Sequence, residues 1–197
     1  IPQPDYRLDS GGKSHAAMTA YQLQEIAKIL KNERPDCVLL YGDTNSTLSG
    51  ALAASKLSIP IVHVEAGLRS YNMNMPEEIN RIITDRLSRI LFCPSDDAKE
   101  NLMREGYQNF DLDIYVVGDI MLDTIKLFFE NLEIKKPFEE PYVVCTIHRQ
   151  ESINQSDRLR EIIQGLNEIS KTVKIIFPIH PRTQKIISDQ KILLSDN

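Results

Sequence analysis

Tryptophan is absent from this chain, and cysteine occurs only three times in 197 residues. Cys37, Cys93 and Cys145 are odd in number, far apart and without a CxxC pair, which excludes a disulfide framework and a cysteine zinc site. Their scarcity fits a reducing compartment, and a cytoplasmic protein is expected. No apolar run is long enough to span a bilayer, and no basic-then-apolar leader opens the chain, so no membrane partner is expected. A positive balance is missing as well. The net charge of −5 leaves no basic face to displace counterions from nucleic acid, although a few local cations can still hold an anion in a cleft.

Several catalytic fingerprints are also missing. No GxGxxG follows a strand, so a nicotinamide site of that type is not expected. The segment Ser10-Gly11-Gly12-Lys13-Ser14 lacks the earlier glycine of a phosphate-binding loop, since Arg7 stands there, and no apolar strand precedes it. The four histidines are scattered without the close helical spacing of a zinc site. No GxSxG elbow occurs.

What is there is a repeated strand, turn and helix. Apolar runs at 37–41, 59–64, 90–93 and 114–117 alternate with helical patterns. One is a small-residue helix over 48–56. In the others, Ala20, Leu23, Ile26, Ala27 and Leu30 share one face, as do Ile79, Ile82, Ile83 and Leu87. Such alternation predicts βαβ units, a parallel sheet and right-handed crossovers. The unbroken apolar runs predict strands buried on both faces. A charged stretch with two prolines, residues 130–141, marks a boundary. Beyond it come a strand at 142–147, a helix at 158–170, a strand at 173–177 and a helix from about 183. The expected organisation is an N-terminal Rossmann-like domain over 1–130, a linker over 131–141 and the start of a second Rossmann-like domain over 142–197.

In a parallel α/β sheet, ligands bind where the carboxyl ends of the strands meet. The residues at those ends are Asp43, Glu65, Ser95 and Gly118, then His148-Arg149, then His180-Pro181-Arg182. Asp43 could instead cap the following helix, as Ser95 is expected to do. Glu65 resists that reading, because it precedes the tight Ala66-Gly67 turn. Glu77 and Glu78 fall in a first helical turn opened by Pro76, where the macrodipole favours acids. Glu77 and Arg81, four apart, could form a surface ion pair. Arg149 beside His148 suits a diphosphate, since guanidinium groups pair phosphate oxygens in a fork.

Gly42-Asp43-Thr44, His63-Val64-Glu65-Ala66-Gly67-Leu68-Arg69, Pro76-Glu77-Glu78-Ile79-Asn80-Arg81, His148-Arg149-Gln150-Glu151 and Pro178-Ile179-His180-Pro181-Arg182-Thr183 occur in that order. Together they resemble the motif series of the non-hydrolysing UDP-N-acetylglucosamine 2-epimerases. The resemblance implies a pair of glycosyltransferase-B-type Rossmann-like domains, both incomplete here. It implies a UDP-sugar substrate, a homodimer and no metal or NAD. Asp43, Glu65, Glu77 and His148 match catalytic positions. Arg81 supports that centre, while Arg69, Arg149 and His180 match positions expected to bind substrate. Ser152 departs from the family's usual asparagine. The family's opening strand and Thr-Gly-Gln-His loop have no counterpart here, nor does its C-terminal nucleotide-cradling region. Other readings of the same architecture are an epimerase of UDP-2,3-diacetamido sugar acids, a UDP-sugar glycosyltransferase and an inactive nucleotide-binding fragment.

Overall fold

The computed structural model describes residues 3–12, 14–132, 137–147, 152 and 156–195. They divide into two units, Ile1–Leu132 and Glu133–Asn197, each holding its own parallel sheet. In the first unit the strands are β1 (Val38–Tyr41), β2 (Ile61–Val64), β3 (Ile90–Cys93) and β4 (Asp113–Val116). The helices are α1 (His15–Glu33), α2 (Asn45–Lys56), α3 (Pro76–Leu87), α4 (Asp96–Arg104) and α5 (Ile120–Asn131). Local signals set their ends. Ser14, Thr44 and Ser95 each accept an amide proton at the start of α1, α2 and α4, satisfying a donor that the helix leaves free. Pro76 opens α3 at a position where its missing N–H is not needed. β2 begins at Ile61, two residues later than the apolar run suggests, because Pro60 has no N–H to pair; its carbonyl instead accepts the Val38 amide.

The strands run side by side in the order β1-β2-β3-β4, all parallel. That order never reverses. Right-handed crossovers taken always in one direction put every connecting helix on the same face. The register confirms it: Leu40 lies opposite His63, and His63 opposite Leu91, so these side chains share the helix-covered face. One core there joins Ile61, Val38 and Leu40 to α1 and α2, and another joins Leu91, Cys93 and Ile114 to α4. Leu91 and Leu102 are fully buried and stabilise the fold by on the order of 2 kcal/mol each.

The opposite face of the sheet is open among the described residues. Leu39 is 48% exposed, Tyr41 55% and Tyr115 51%. The expectation that all four strands are buried on both faces is not met among the described residues. There, the helices packed on the strands, α1, α2 and α4, lie on one face.

Small residues bring α2 close to α1 and the sheet: Ala51, Ala53 and Ala54 are buried at that seam. Gly67 does the same for the turn after β2. A side chain there would stand 2.3 Å from the Ala98 carbonyl oxygen, and the residue's φ is +80°, a region that costs other residues about 1–2 kcal/mol.

The second unit contains β5 (Tyr142–Val144), α6 (Ser156–Ser170), β6 (Lys174–Ile176) and α7 (Pro181–Asp189), with β5 and β6 parallel. Its core is Ile147, Leu159, Ile163, Ile187 and Ile192. The Thr183 hydroxyl donates to the Ile147 carbonyl (2.7 Å) and so fastens α7 to the segment after β5. No helix among the described residues is long and apolar enough to cross a membrane.

Gly67→Ala is expected to lower stability by about 3 kcal/mol, combining the left-handed backbone with overpacking against α4. Thermal or urea unfolding of the purified variant measures it.

Candidate active site

The carboxyl edge of the first sheet carries the acids. After β1 the chain turns at Gly42, whose φ is +64° and whose amide donates to the Val64 carbonyl (3.1 Å). Thr44, not Asp43, caps α2, so the helix-cap reading of Asp43 is overturned. Its carboxylate instead meets the Arg81 guanidinium, with Asp43 Oδ2 2.5 Å from the Arg81 nitrogen. Asn80, buried one residue earlier on α3, donates to the Asp43 carbonyl (2.9 Å). Thr47 reaches back to the Tyr41 carbonyl (2.7 Å).

Glu65 follows β2 in the left-handed region, with φ +74°. For a residue that is not glycine this conformation is strained, and such strain gathers at functional sites. The Glu65 and Ala66 amides both donate to the Phe92 carbonyl (3.1 and 3.0 Å), which holds the turn against β3. Glu65 Oε2 lies 3.5 Å from where a Gly42 side chain would begin, so the two acid-bearing loops are in contact range. The Glu65 carboxyl is pushed above its ordinary value near 4.5, first by burial, then by the negative charges of Asp43 and Asp119, with Arg81 and His63 opposing. Asp119 caps α5 through Met121 (2.8 Å). It is a further acid at this edge, absent from the sequence reading, which stopped at Gly118.

α3 supplies the cation. Arg81 is divided between Asp43 and Glu78, the latter at 3.6 Å. Glu78, not Glu77, is the buried acid of the Pro76-Glu77-Glu78 turn. Its oxygens accept from the Ser70 amide (2.9 Å), the Tyr71 amide (2.9 Å) and the Ser70 hydroxyl (3.0 Å). Burial opposes ionisation of Glu78, but those bonds and Arg81 outweigh it and hold its carboxyl below the usual range. Glu77 stands exposed one turn before Arg81. Its carbonyl accepts from Arg81 Nε (3.3 Å), and Arg81 directs its charge to Asp43 and Glu78 rather than to a Glu77 surface pair.

Arg69, expected to bind substrate, has a side chain that is 1% exposed and binds Asp85 at 2.7 Å and Glu105 at 2.6 Å. Its guanidinium is shared between these two carboxylates, which motif position alone does not show.

In the second unit His180 is exposed and caps α7, its Nδ1 accepting from the Arg182 amide (3.2 Å). His148 and Arg149 lie outside the described residues. The structure thus gathers Asp43, Glu65 and Arg81, places Glu77 on the same helix as Arg81, and withdraws Arg69 into the interior. A cavity of about 580 Å³ is lined by His15, Thr19, Asn45, Asn74, Pro76 and Asn80, among others, and by neither Asp43 nor Glu65.

Parallel α/β units with acids at the carboxyl edge of the strands define a class of ligand-binding α/β proteins rather than one activity. The comparisons with known proteins narrow it. The family model for UDP-N-acetylglucosamine 2-epimerase matches residues 1–196, and the chain belongs to that family. It is 48% identical over 190 residues to the Pseudomonas aeruginosa UDP-2,3-diacetamido-2,3-dideoxy-D-glucuronate 2-epimerase, covering 95% of this chain and 54% of that protein. It is 43% identical over 200 residues to the Methanocaldococcus jannaschii UDP-N-acetylglucosamine 2-epimerase, covering 96% and 54%. The crystal structure of a Methanocaldococcus jannaschii UDP-GlcNAc 2-epimerase in complex with UDP-GlcNAc and UDP superposes with a TM-score of 0.81 at 40% identity, covering 98% of this chain and 55% of that one. The chain therefore spans about half the length of the relatives it matches. The parallel α/β class expected from the sequence is the class of these glycosyltransferase-B-like structures.

The two shifted carboxyls give stability opposite pH dependences. Glu65, raised, favours the native state while protonated; that contribution is lost as pH rises from 4.5 through its folded value. Glu65→Gln is thus expected to be more stable than the parent at pH 7, with the difference vanishing below the ordinary carboxylate range. Glu78, lowered, contributes above 4.5 and loses that contribution as pH falls through its folded value. Glu78→Ala is expected to cost about 2 kcal/mol at pH 7 by stripping partners from the loop after β2, and less in acid. Unfolding curves from pH 3 to 8 check both.

Proposed function

We propose that this chain carries the acid/base portion of a UDP-sugar 2-epimerase, interconverting UDP-GlcNAc and UDP-ManNAc. The single observation that carries the proposal is the Asp43–Glu65 carboxylate pair at one sheet edge, with Arg81 against one member and the other raised by burial and negative charge. The proposal also draws on the family.

The chemistry asks for such a pair. The hydrogen on C2 of the sugar is not next to a carbonyl, so it is not acidic enough for removal alone. Removal becomes feasible when the bond between C1 and the diphosphate oxygen breaks in the same event. A carboxylate then takes the C2 proton, the C–H electron pair becomes the C1–C2 double bond, and UDP departs with the electrons of the C1–O bond. Re-addition of UDP to the resulting glycal, with a proton delivered to the other face of C2, inverts that carbon. Two faces call for two acid/base groups. Asp43 and Glu65 act as a coupled pair, with Glu77 serving the opposite face. A carboxyl raised by a like-charged neighbour keeps its proton available for return. His148, with Arg149 beside it, stabilises the charge on the departing diphosphate, and His180 contributes to substrate binding. The enzyme works as a homodimer and needs neither a metal nor NAD.

A second reading has one observation in its favour, the 48% identity to the Pseudomonas diacetamido-glucuronate epimerase. The elimination is the same; the sugar would carry a carboxylate and a second acetamido group.

In deuterated water the full-length protein is expected to exchange the C2 hydrogen of UDP-GlcNAc and build a UDP-ManNAc signal by proton NMR. Exchange with the diacetamido sugar acid alone would favour the second reading, and no exchange with either would end both. Glu65→Gln is expected to lower turnover by about 100-fold or more.

A further inference from the structure

His63 sits among apolar neighbours on β2 and faces the covered side of the sheet, fully buried. An imidazole in such a place destabilises the fold unless both ring nitrogens find partners. Both do. Nδ1 lies 2.7 Å from Asp85 Oδ1 on α3, and Nε2 lies 2.8 Å from the Gly42 carbonyl oxygen. A carbonyl can only accept, and Asp85 already accepts from the Gly67 amide (3.2 Å) and from Arg69 (2.7 Å) through its other oxygen. Nε2 is therefore a donor to the Gly42 carbonyl. Arg69 completes the chain on Glu105, with Nε to Oε1 at 2.6 Å and a second nitrogen to Oε2 at 2.8 Å. Every buried polar group of the chain thus has a partner.

The ends of this chain matter for the reaction. One is the carbonyl of the peptide that joins Gly42 to Asp43. The other is the amide of Gly67, two residues after Glu65. We propose that His63, acting with Asp85, is a positioning residue that fixes the Asp43 loop relative to the Glu65 turn. The inference rests on the reading of Asp43 and Glu65 as the acid/base pair. His63 touches no reacting atom; it acts through the Gly42 carbonyl. With Thr47 on the Tyr41 carbonyl (2.7 Å) and Asn80 on the Asp43 carbonyl (2.9 Å), three successive carbonyls leaving β1 are each held by a side chain. Of the three holders, His63 is the one also tied to the turn that carries Glu65.

Two substitutions separate positioning from plain core filling. An asparagine amide reaches about where Nδ1 lies, so His63→Asn keeps the Asp85 contact and drops the Gly42 carbonyl. A glutamine amide reaches about where Nε2 lies, so His63→Gln keeps the grip on Gly42. In the full-length protein, His63→Asn is expected to lose about 100-fold in kcat, the cost of a misplacement near 1 Å, with KM changed less than about threefold. His63→Gln is expected to stay within about tenfold of the parent. The reverse order, a change confined to KM, or losses that merely follow the melting temperature would overturn the proposal. Should neither variant fold, the ring nitrogen spectrum of the parent protein decides: a protonated Nε2 supports the proposal and an unprotonated Nε2 refutes it. Should the parent exchange no C2 hydrogen, the epimerase reading fails by itself. The positioning is then read from the carbon NMR titration of Glu65, expected to shift in His63→Asn and to hold in His63→Gln; no shift in either would overturn it.

Discussion

Right-handed crossovers between parallel strands taken in strict sequence are the constraint on which the rest of the first unit depends. Because β1 to β4 advance in one direction, each connecting helix returns on the same side, and each strand releases its last residue at the same edge. That one geometric rule brings together Asp43, Glu65 and the start of α5, three places separated by long stretches of chain. Among the described residues, Leu39, Tyr41 and Tyr115 lie exposed on the other face.

Electrostatics then separates the acids that this edge collects. Glu78 is enclosed by donors and held ionised, which makes it a brace for the loop carrying Ser70 and Tyr71. Glu65 is enclosed with acids for neighbours and pushed toward its neutral form. One helix turn and one tight turn thus yield one carboxyl held ionised and one pushed toward its neutral form, distinguished by their surroundings. Arg81 belongs to both settings, since it contacts Glu78 and Asp43. Below them the His63–Asp85–Arg69–Glu105 chain does for the backbone what Arg81 does for the side chains.

Much of this was legible in the residues. Apolar runs marked the strands to within one or two residues for β1 to β4, because a short buried strand needs little else. Ser95 read correctly as a cap, since a serine after a proline-stopped strand has few other uses. Glu65 before Ala66-Gly67 read correctly as an acid left at the edge. Less legible were the partners. Ile61 and His63 alternate on one face, a sign that His63 points inward, but nothing in the spacing says that Asp85 waits there, one helix away. The partners of Arg69 were illegible for the same reason. That Thr44 and not Asp43 caps α2 was settled only by which side chain meets the Thr47 amide.

The sequence by itself determined the order of strands and helices, the chemical types present at each strand end, and the membership of a family through motifs that span the chain. These are local or sequential properties, written in periodicity and in residues a few positions apart. Tertiary structure decided which side chains are paired and how deeply they lie. Charge partners such as Arg69 and Glu105, 36 residues apart, meet only when the sheet has formed. Burial, which sets whether a carboxyl is held ionised or pushed toward its neutral form, is a property of everything packed around it.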